Sequence, residues 1–405
     1  MDTKQLLTEA KNHETDLIGI RHFLHRNPEV GFDLNTTIDF VENELKKTGL
    51  VPTRCGKCGL TATIGKGSRV FMLRADMDAL PVKEEAALDF ASANGNMHAC
   101  GHDLHTTMLL GAARLLKAHE KELCGIVKLD FQPSEESFEG ARDMIHSGLL
   151  ENPKVDAALM IHVSAAMPMP VGTALICSGG VSAPAADCFE ITVQGKGCHG
   201  SMPEKGIDPV SISAHIITAL QEIHARELNL SEEAVLTIGS IHGGFADNVI
   251  PDSVQMAGTI RTYDEETRKH VKNRLVQISE GISGTFGGKA TVSFVRQCPT
   301  LQNDAKLSEC VTRYTKELLG DTMAFHQSEL PAAPDNKPSK SVGSEDFAYI
   351  SQEVPSIMLA MAAGEPSKGY TYPQHHPKVM FDESVLSVGS AVYAYNAMRW
   401  LSEHS

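Results

Sequence analysis

The chain has no apolar run approaching the roughly 20 residues that a membrane-spanning helix needs, so no transmembrane helix is expected. It also lacks a basic arm or a basic helix. Its 51 acidic residues outweigh 36 basic ones and leave a formal net charge of -15. Such acidity argues against nucleic acid and against anionic membranes as partners. The opening Met1-Asp2-Thr3-Lys4-Gln5 has no apolar core of the kind a secretory signal carries, and the expected location is the cytoplasm. No internal repeat is visible. Cysteines number nine, an odd count in a long chain without an export signal, so no disulfide framework is expected. Most of the thiols should behave as small buried hydrophobes. Cys55-Gly-Lys-Cys58 has redox or zinc spacing, but no second Cys or His pair stands at structural-zinc distance. It lies between two strand-like runs and reads as a turn with two incidental thiols.

What is present is an ordinary globular composition, 42% hydrophobic and 21% charged over 405 residues, enough for two domains. Residues 15–48 read as two helices broken at Asn27-Pro28. Strand-like runs follow at 60–64 and 70–73. A helix is expected over 103–119, where Leu104, Met108, Ala112, Leu115 and Leu116 recur at helical spacing. Strands at 126–131 and 156–161 run into Gln132-Pro-Ser-Glu-Glu136 and His162. Chemistry-bearing residues thus fall at the carboxyl ends of strands that alternate with helices, where open α/β sheets place ligands. From 185 to 295 the order changes to strand (189–194), helix (208–226), two strands (234–241, 253–262), helix (265–284) and strand (290–295). That order is a split βαβ, ferredoxin-like sandwich, read here as a domain of 185–295 inserted into one made of 1–184 and 296–405. The remainder should hold helices near 304–319 and 344–352, a strand near 355–361 and a helix from about 383. The 329–342 stretch, rich in Pro, Ser and Lys, reads as a surface loop.

Three histidines, a cysteine and an aspartate, all able to hold a metal or a proton, fall in His98-Ala-Cys-Gly-His-Asp-Leu-His105, just ahead of a helical pattern. A thiol and an imidazole two positions apart can share one metal where the chain between them bends, as Gly101 allows. Asp76-Met77-Asp78, Glu135-Glu136 and His375-His376-Pro377 add carboxylates and imidazoles. Each has an ordinary alternative: a strand-ending turn, a solvated acidic pair, a loop histidine pair, and for His162 a core histidine. Together they read as a hydrolase with two divalent metals, which need about four ligands each with one or two shared. Neighbours on an extended strand end point opposite ways. One glutamate of the Glu135-Glu136 pair can therefore bind metal while the other faces the water and moves its proton.

Arg74-Ala-Asp-Met-Asp-Ala-Leu-Pro81, His98 to His105, Gln132 to Glu136, Gly343-Ser-Glu-Asp-Phe347 and His375-His-Pro377 together resemble the amidohydrolase branch of the dinuclear aminoacylase and exopeptidase family. Hippurate hydrolases, N-acyl-amino-acid hydrolases and plant indole-acetyl-amino-acid hydrolases belong to it. The resemblance covers essentially the whole chain. It implies a zinc-exopeptidase-like, mixed-sheet α/β catalytic domain with an inserted ferredoxin-like α+β lid or dimerisation domain. It implies Cys100, His102, Glu136, His162 and His375 as ligands of two divalent ions, with His376 the alternative of its pair. Zinc or manganese suits these donors, and cobalt or nickel could occupy the same site. Glu135 would be general base and later acid, and Asp78 would orient the site. His105 would be a helix residue near the site rather than a ligand. Gly195-Lys-Gly-Cys-His-Gly-Ser-Met-Pro203 resembles the family's loop whose histidine, here His199, reaches a neighbouring subunit and stabilises the oxyanion. Asn248 and Arg261 resemble its clamp for the substrate carboxylate, a task the planar guanidinium suits.

The resemblance has gaps. The chain carries Met202-Pro203-Glu204 where relatives commonly have Met-Pro-His, Cys198 in place of a usual glycine, and no aromatic in Val163-Ser-Ala-Ala-Met-Pro168. These positions neighbour the acyl and side-chain pockets, so the acyl group and the amino acid stay open. The expected reaction is hydrolysis of a small-molecule N-acyl-L-amino acid to a carboxylate and a free amino acid, by a homodimer or higher homo-oligomer. A dipeptidase or carboxypeptidase using the same site is the alternative. A silent binding protein on the same scaffold would be expected to have lost a ligand or Glu135, and a redox protein would rest on Cys55 and Cys58.

Overall fold

The computed structural model describes residues 2–330 and 343–405; the expected surface loop at 329–342 lies, from 331 onward, outside them. The chain forms two compact units. One comprises the residues up to Ser182 with Gln302–Leu330 and Glu345–Ser405, the other Ala183–Leu301 with Gly343 and Ser344.

The first unit is built on an eight-stranded mixed sheet. Its spatial order is Thr53–Cys55, Gly59–Gly65, Ile126–Gln132, Val70–Asp76, Ala157–Ser164, Ser356–Ala362, Ala174–Ile176 and Ala324–His326. The four strands from Ile126–Gln132 to Ser356–Ala362 run parallel to one another. Val70–Asp76 is buried at every position, as a parallel strand covered on both faces must be. The helix His102–Ala118 packs on the sheet together with the C-terminal helix Val385–His404. All five stripe residues from Leu104 to Leu116 are buried. So are most of the others, because Val385–His404 and Glu14–Arg26 also pack against the helix.

Several elements lie beyond the pattern of the sequence. Thr3–Asn12 is a helix, capped by the Asp2 side chain on Lys4 N. Gly140–His146 is a short helix, and Thr53–Cys55, Ala174–Ile176 and Ala324–His326 are three-residue strands. The strand carrying His162 continues to Ser164, so the imidazole stands within the ladder and not beyond its end.

The second unit carries a four-stranded antiparallel sheet in the order Ala234–Gly243, Ser253–Thr262, Ala185–Gln194, Lys289–Cys298. With the helices Pro209–Glu222 and Glu265–Thr285, the chain order is βαββαβ, the ferredoxin-like arrangement. Asp208 and Asp264 cap the two helices, and Pro209 takes the first helical position, where it has no bond to lose. Its core is separate: Phe189, Ile191 and Val193 pack against Ile212, Ile216, Leu220, Val271 and Leu275.

Candidate metal centre

The carboxyl ends of three parallel strands deliver the first groups. Val70–Asp76 leads into Met77-Asp78, Ile126–Gln132 leads into Glu135-Glu136, and Ala157–Ser164 carries His162. Cys100 and His102 flank Gly101, which caps the helix His102–Ala118 with φ +92°. A Cβ there would sit 2.5 Å from Val163 Cγ2, so only glycine fits both the backbone and the space. His375 arrives on a loop, with its main-chain N–H on Ala99 O at 2.9 Å.

The donor atoms converge. Cys100 Sγ lies 3.6 Å from His162 Nε2 and 3.3 Å from His375 Nε2. Glu136 Oε1 lies 3.4 Å from His375 Nε2 and 3.9 Å from His102 Nε2. Three sets with all atoms within 4.8 Å of one another result: Cys100, His102 and His162; Cys100, Glu136 and His375; His102, Glu135 and Glu136. The first two share the thiol. His102 Nε2 and Glu136 Oε1 are buried without a hydrogen-bond partner. Buried polar atoms are normally satisfied, and two facing orphans that both offer a lone pair fit a cation between them. Thiolate, imidazole and carboxylate are the donors that borderline divalent ions take.

The supporting groups fix these donors. His102 Nδ1 donates to Asp78 O at 2.8 Å, which leaves Nε2 for the cluster. The Asp78 carboxylate accepts the main-chain N–H of Glu135 at 2.9 Å and of Glu136 at 3.2 Å. One aspartate thus sets both glutamates and one imidazole. Ser134 and Phe138 take left-handed φ values of +57° and +60°. Such conformations are costly for residues with side chains and turn the two glutamates out of the strand.

The electrostatics separate the two glutamates. Burial raises the Glu135 carboxyl well above the usual range, helped by Glu345, Glu136 and Asp346. Glu136 is held below it against its own burial, chiefly by His375 and then His102. Burial works against the Cys100 thiolate, yet His162 and His102 bring the thiol down to about 6.

Beneath the cluster lies a charge network that sequence motifs gave no role. Arg74 is wholly buried and donates from Nη1 to Asp76 at 2.7 Å, from Nη2 to Glu345 at 2.9 Å and to Asp346 at 3.0 Å, and from Nε to Gln132 at 2.9 Å. Asp346 N–H in turn meets Glu135 Oε1 at 3.3 Å. The available signal was an arginine inside an apolar strand run, Val70-Phe-Met-Leu-Arg74. His105 is not among the donors around Cys100; its Nδ1 bonds Asp76 Oδ1 at 2.6 Å.

Seven expected residues therefore meet in the first unit: Asp78, Cys100, His102, Glu135, Glu136, His162 and His375. His376 stacks on Tyr372 instead, with ring centroids 4.3 Å apart. The other three lie in the second unit. His199 is exposed, its Nδ1 accepting from Ser201 Oγ at 2.9 Å, and its strand pairs with Val249 beside Asn248. Arg261 donates to Ser344 Oγ at 2.8 Å. Asn248 precedes the strand Ser253–Thr262, whereas Arg261 stands at its far end, about 26 Å along at 3.3 Å per residue.

Among the described residues, no helix is long and apolar enough to cross a membrane. Comparison with known proteins is consistent across the chain. It is 37% identical over 396 residues to N-acetyl-L-cysteine deacetylase of Bacillus subtilis, covering 96% of this chain and 89% of the relative. It is 34% identical over 406 residues to thermostable carboxypeptidase 2 of Saccharolobus solfataricus, covering 98% of each. A Bacillus subtilis crystal structure described as a dinuclear metal binding peptidase superposes with a TM-score of 0.78 at 32% identity, over 97% of this chain and 99% of that one. The model of Peptidase family M20/M25/M40 matches residues 72–399, so the chain belongs to that family and is a metal-binding hydrolase of linear amide bonds.

Proposed function

We propose that this chain hydrolyses N-acyl-L-amino acids to a carboxylate and a free amino acid. The observation that carries the reading is the pair of donor sets that share Cys100, with the buried Glu135 beside them. Cys100, His102, Glu136, His162 and His375 are the residues that would hold two divalent cations, zinc or manganese. Bound there, the cations would acidify a water and polarise the acyl carbonyl. Glu135 takes the proton. Its Oε1 is engaged by the Asp346 amide, so Oε2 is the atom that receives it. The raised affinity of Glu135 for a proton suits the next step, delivery to the leaving amine nitrogen. Asp78 keeps both glutamates aimed through their main-chain amides.

In this reading His199 stabilises the oxyanion, and Asn248 and Arg261 hold the substrate carboxylate. The span of a whole strand between Asn248 and Arg261 means that one copy of the chain cannot bring both to one carboxylate. The two therefore come from different copies, which supports a homodimer or higher oligomer in which the inserted domain at 185–295 acts as lid and dimerisation element between 1–184 and 296–405. The expected setting is the cytoplasm. Likeness to a carboxypeptidase favours one second reading, cleavage of a peptide bond by the same groups.

The test is amino-acid release from N-acetyl, N-benzoyl and N-succinyl amino acids alongside dipeptides, with chelator and with added zinc or manganese. Chelator-sensitive release from acylated amino acids supports the proposal. Release from dipeptides alone replaces it with the second reading, and no release from any of them overturns both.

A further inference from the structure

Three hydrogen bonds and one close packing contact converge on a residue with no chemistry of its own, Val163. Its N–H donates to His105 Nε2 at 2.9 Å. Its carbonyl oxygen takes His162 Nδ1 at 2.7 Å and the Gln374 side-chain amide at 2.8 Å. Its Cγ2 occupies the space that a side chain on Gly101 would need.

These partners fix protons as well as positions. A carbonyl oxygen only accepts, so His162 carries its proton on Nδ1 and turns the Nε2 lone pair toward Cys100 Sγ. A main-chain N–H only donates, so His105 is unprotonated at Nε2 and gives its Nδ1 proton to Asp76. Val163 thereby ties together the Cys100-Gly101-His102 corner, the His162 strand and the loop that bears His375.

That loop needs tethering. His375 takes φ +66°, a left-handed conformation that is unfavourable for a residue with a side chain. Its own N–H on Ala99 O is one anchor. The side chain immediately before it supplies the other. We propose that Gln374 is a positioning residue: by sharing Val163 O with His162, its carboxamide holds His375 in the left-handed conformation and sets it in register with His162. Both Nε2 atoms then face Cys100 Sγ. The inference rests on the reading of His162 and His375 as metal ligands. Gln374 touches neither the donor cluster nor the reacting atoms in that reading.

The experiment compares cobalt(II) binding by the full chain with that of Gln374→Met, which keeps length but cannot donate, and Gln374→Asn, which keeps the amide but shortens its reach. Affinity is read by chelator competition, and ligand geometry by the cobalt visible spectrum. Thermal unfolding of each metal-free protein is measured in parallel. The expected result is a 10–100-fold weaker affinity for Gln374→Met, the usual effect of losing a partner that orients a ligand. Gln374→Asn should fall between, the cobalt band should shift, and the metal-free melting temperatures should match within a few degrees. Unchanged affinity and spectrum overturn the inference, as does a large drop in the metal-free melting temperature, which would mark Gln374 as a folding residue. Wild-type protein that binds no cobalt fails the metal-centre reading itself, a distinguishable outcome.

Discussion

Arg74 places Nη1 2.7 Å from Asp76 Oδ2, and neither side chain has any solvent exposure. The same guanidinium also serves Glu345 and Asp346, so its removal takes the shared cation from three buried carboxylates. Breaking a buried pair from one side costs about 3–5 kcal/mol. Arg74→Met should therefore lose that much stability by denaturant unfolding, and Asp346 should no longer hold Glu135. A loss under about 1 kcal/mol would mean that the network does not bear on the fold.

Glu135 and Glu136 should separate cleanly under isosteric replacement. Glu135→Gln should keep its metal and lose about 10²–10⁴-fold in kcat, the usual contribution of a positioned acid–base group. Glu136→Gln should lose metal first, and activity with it. Metal analysis beside kinetics checks both. Equal metal loss in the two variants would contradict the division of roles.

Gly101→Ala tests the corner between Cys100 and His102. The new Cβ meets Val163 Cγ2 at 2.5 Å, and φ +92° is unfavourable for alanine. Strain and overpacking together should cost about 2–4 kcal/mol, measured by thermal or denaturant unfolding. Metal affinity should fall too, because relief requires either His102 or Val163 to move.

Stability should depend on pH through a histidine away from the metal centre. Burial opposes charge on His25, but Asp103 at 2.9 Å and Glu84 at 3.0 Å overcome it and raise the imidazole to about 9. The group binds its proton more tightly folded than unfolded, where it titrates near 6.5. Its contribution is therefore full below about pH 6.5 and is lost as pH rises through about 9, with a total of about 3 kcal/mol. Unfolding at pH 6.5 and pH 9.5 measures it, and His25→Gln should flatten that part of the profile. A wild-type profile as flat as that of the variant would refute the assignment.

The two thiols with redox spacing should be inert. Burial pushes Cys55 up to about 11 and Cys58 up to about 12, so almost no thiolate is present at neutral pH. Alkylation with iodoacetamide at pH 8 should label exposed Cys124 and spare both. Fast labelling of Cys58 would reopen a redox role.

The parallel strands were legible because their sequences are continuous apolar runs ending in charged or imidazole groups, as with Val70 to Asp76 and Ile126 to Gln132. The ferredoxin-like order was legible because each of its strands and helices is long enough to show a period. Three-residue strands such as Ala174–Ile176 show none, and the helix Gly140–His146 opens on a glycine and closes within two turns. The candidate ligand residues stood out through close spacing of rare chemistry, as at Cys100 and His102. Glu345 and Asp346 did not acquire a role in that way. What they do depends on Arg74, 271 positions earlier in the chain, and no local pattern carries that pairing.

The strand Ser356–Ala362 sits between Ala157–Ser164 and Ala174–Ile176, and His375 lies 275 positions after Cys100. During synthesis on the ribosome, the middle of the sheet must therefore wait for a segment made after the whole inserted unit. Until then the emerged strands present an open edge, and the thiol and imidazoles already made lack their last partner. With Cys100 and His375 as the proposed ligands, a nascent chain would hold metal weakly until its final third had joined the sheet, which would put loading at the end of folding.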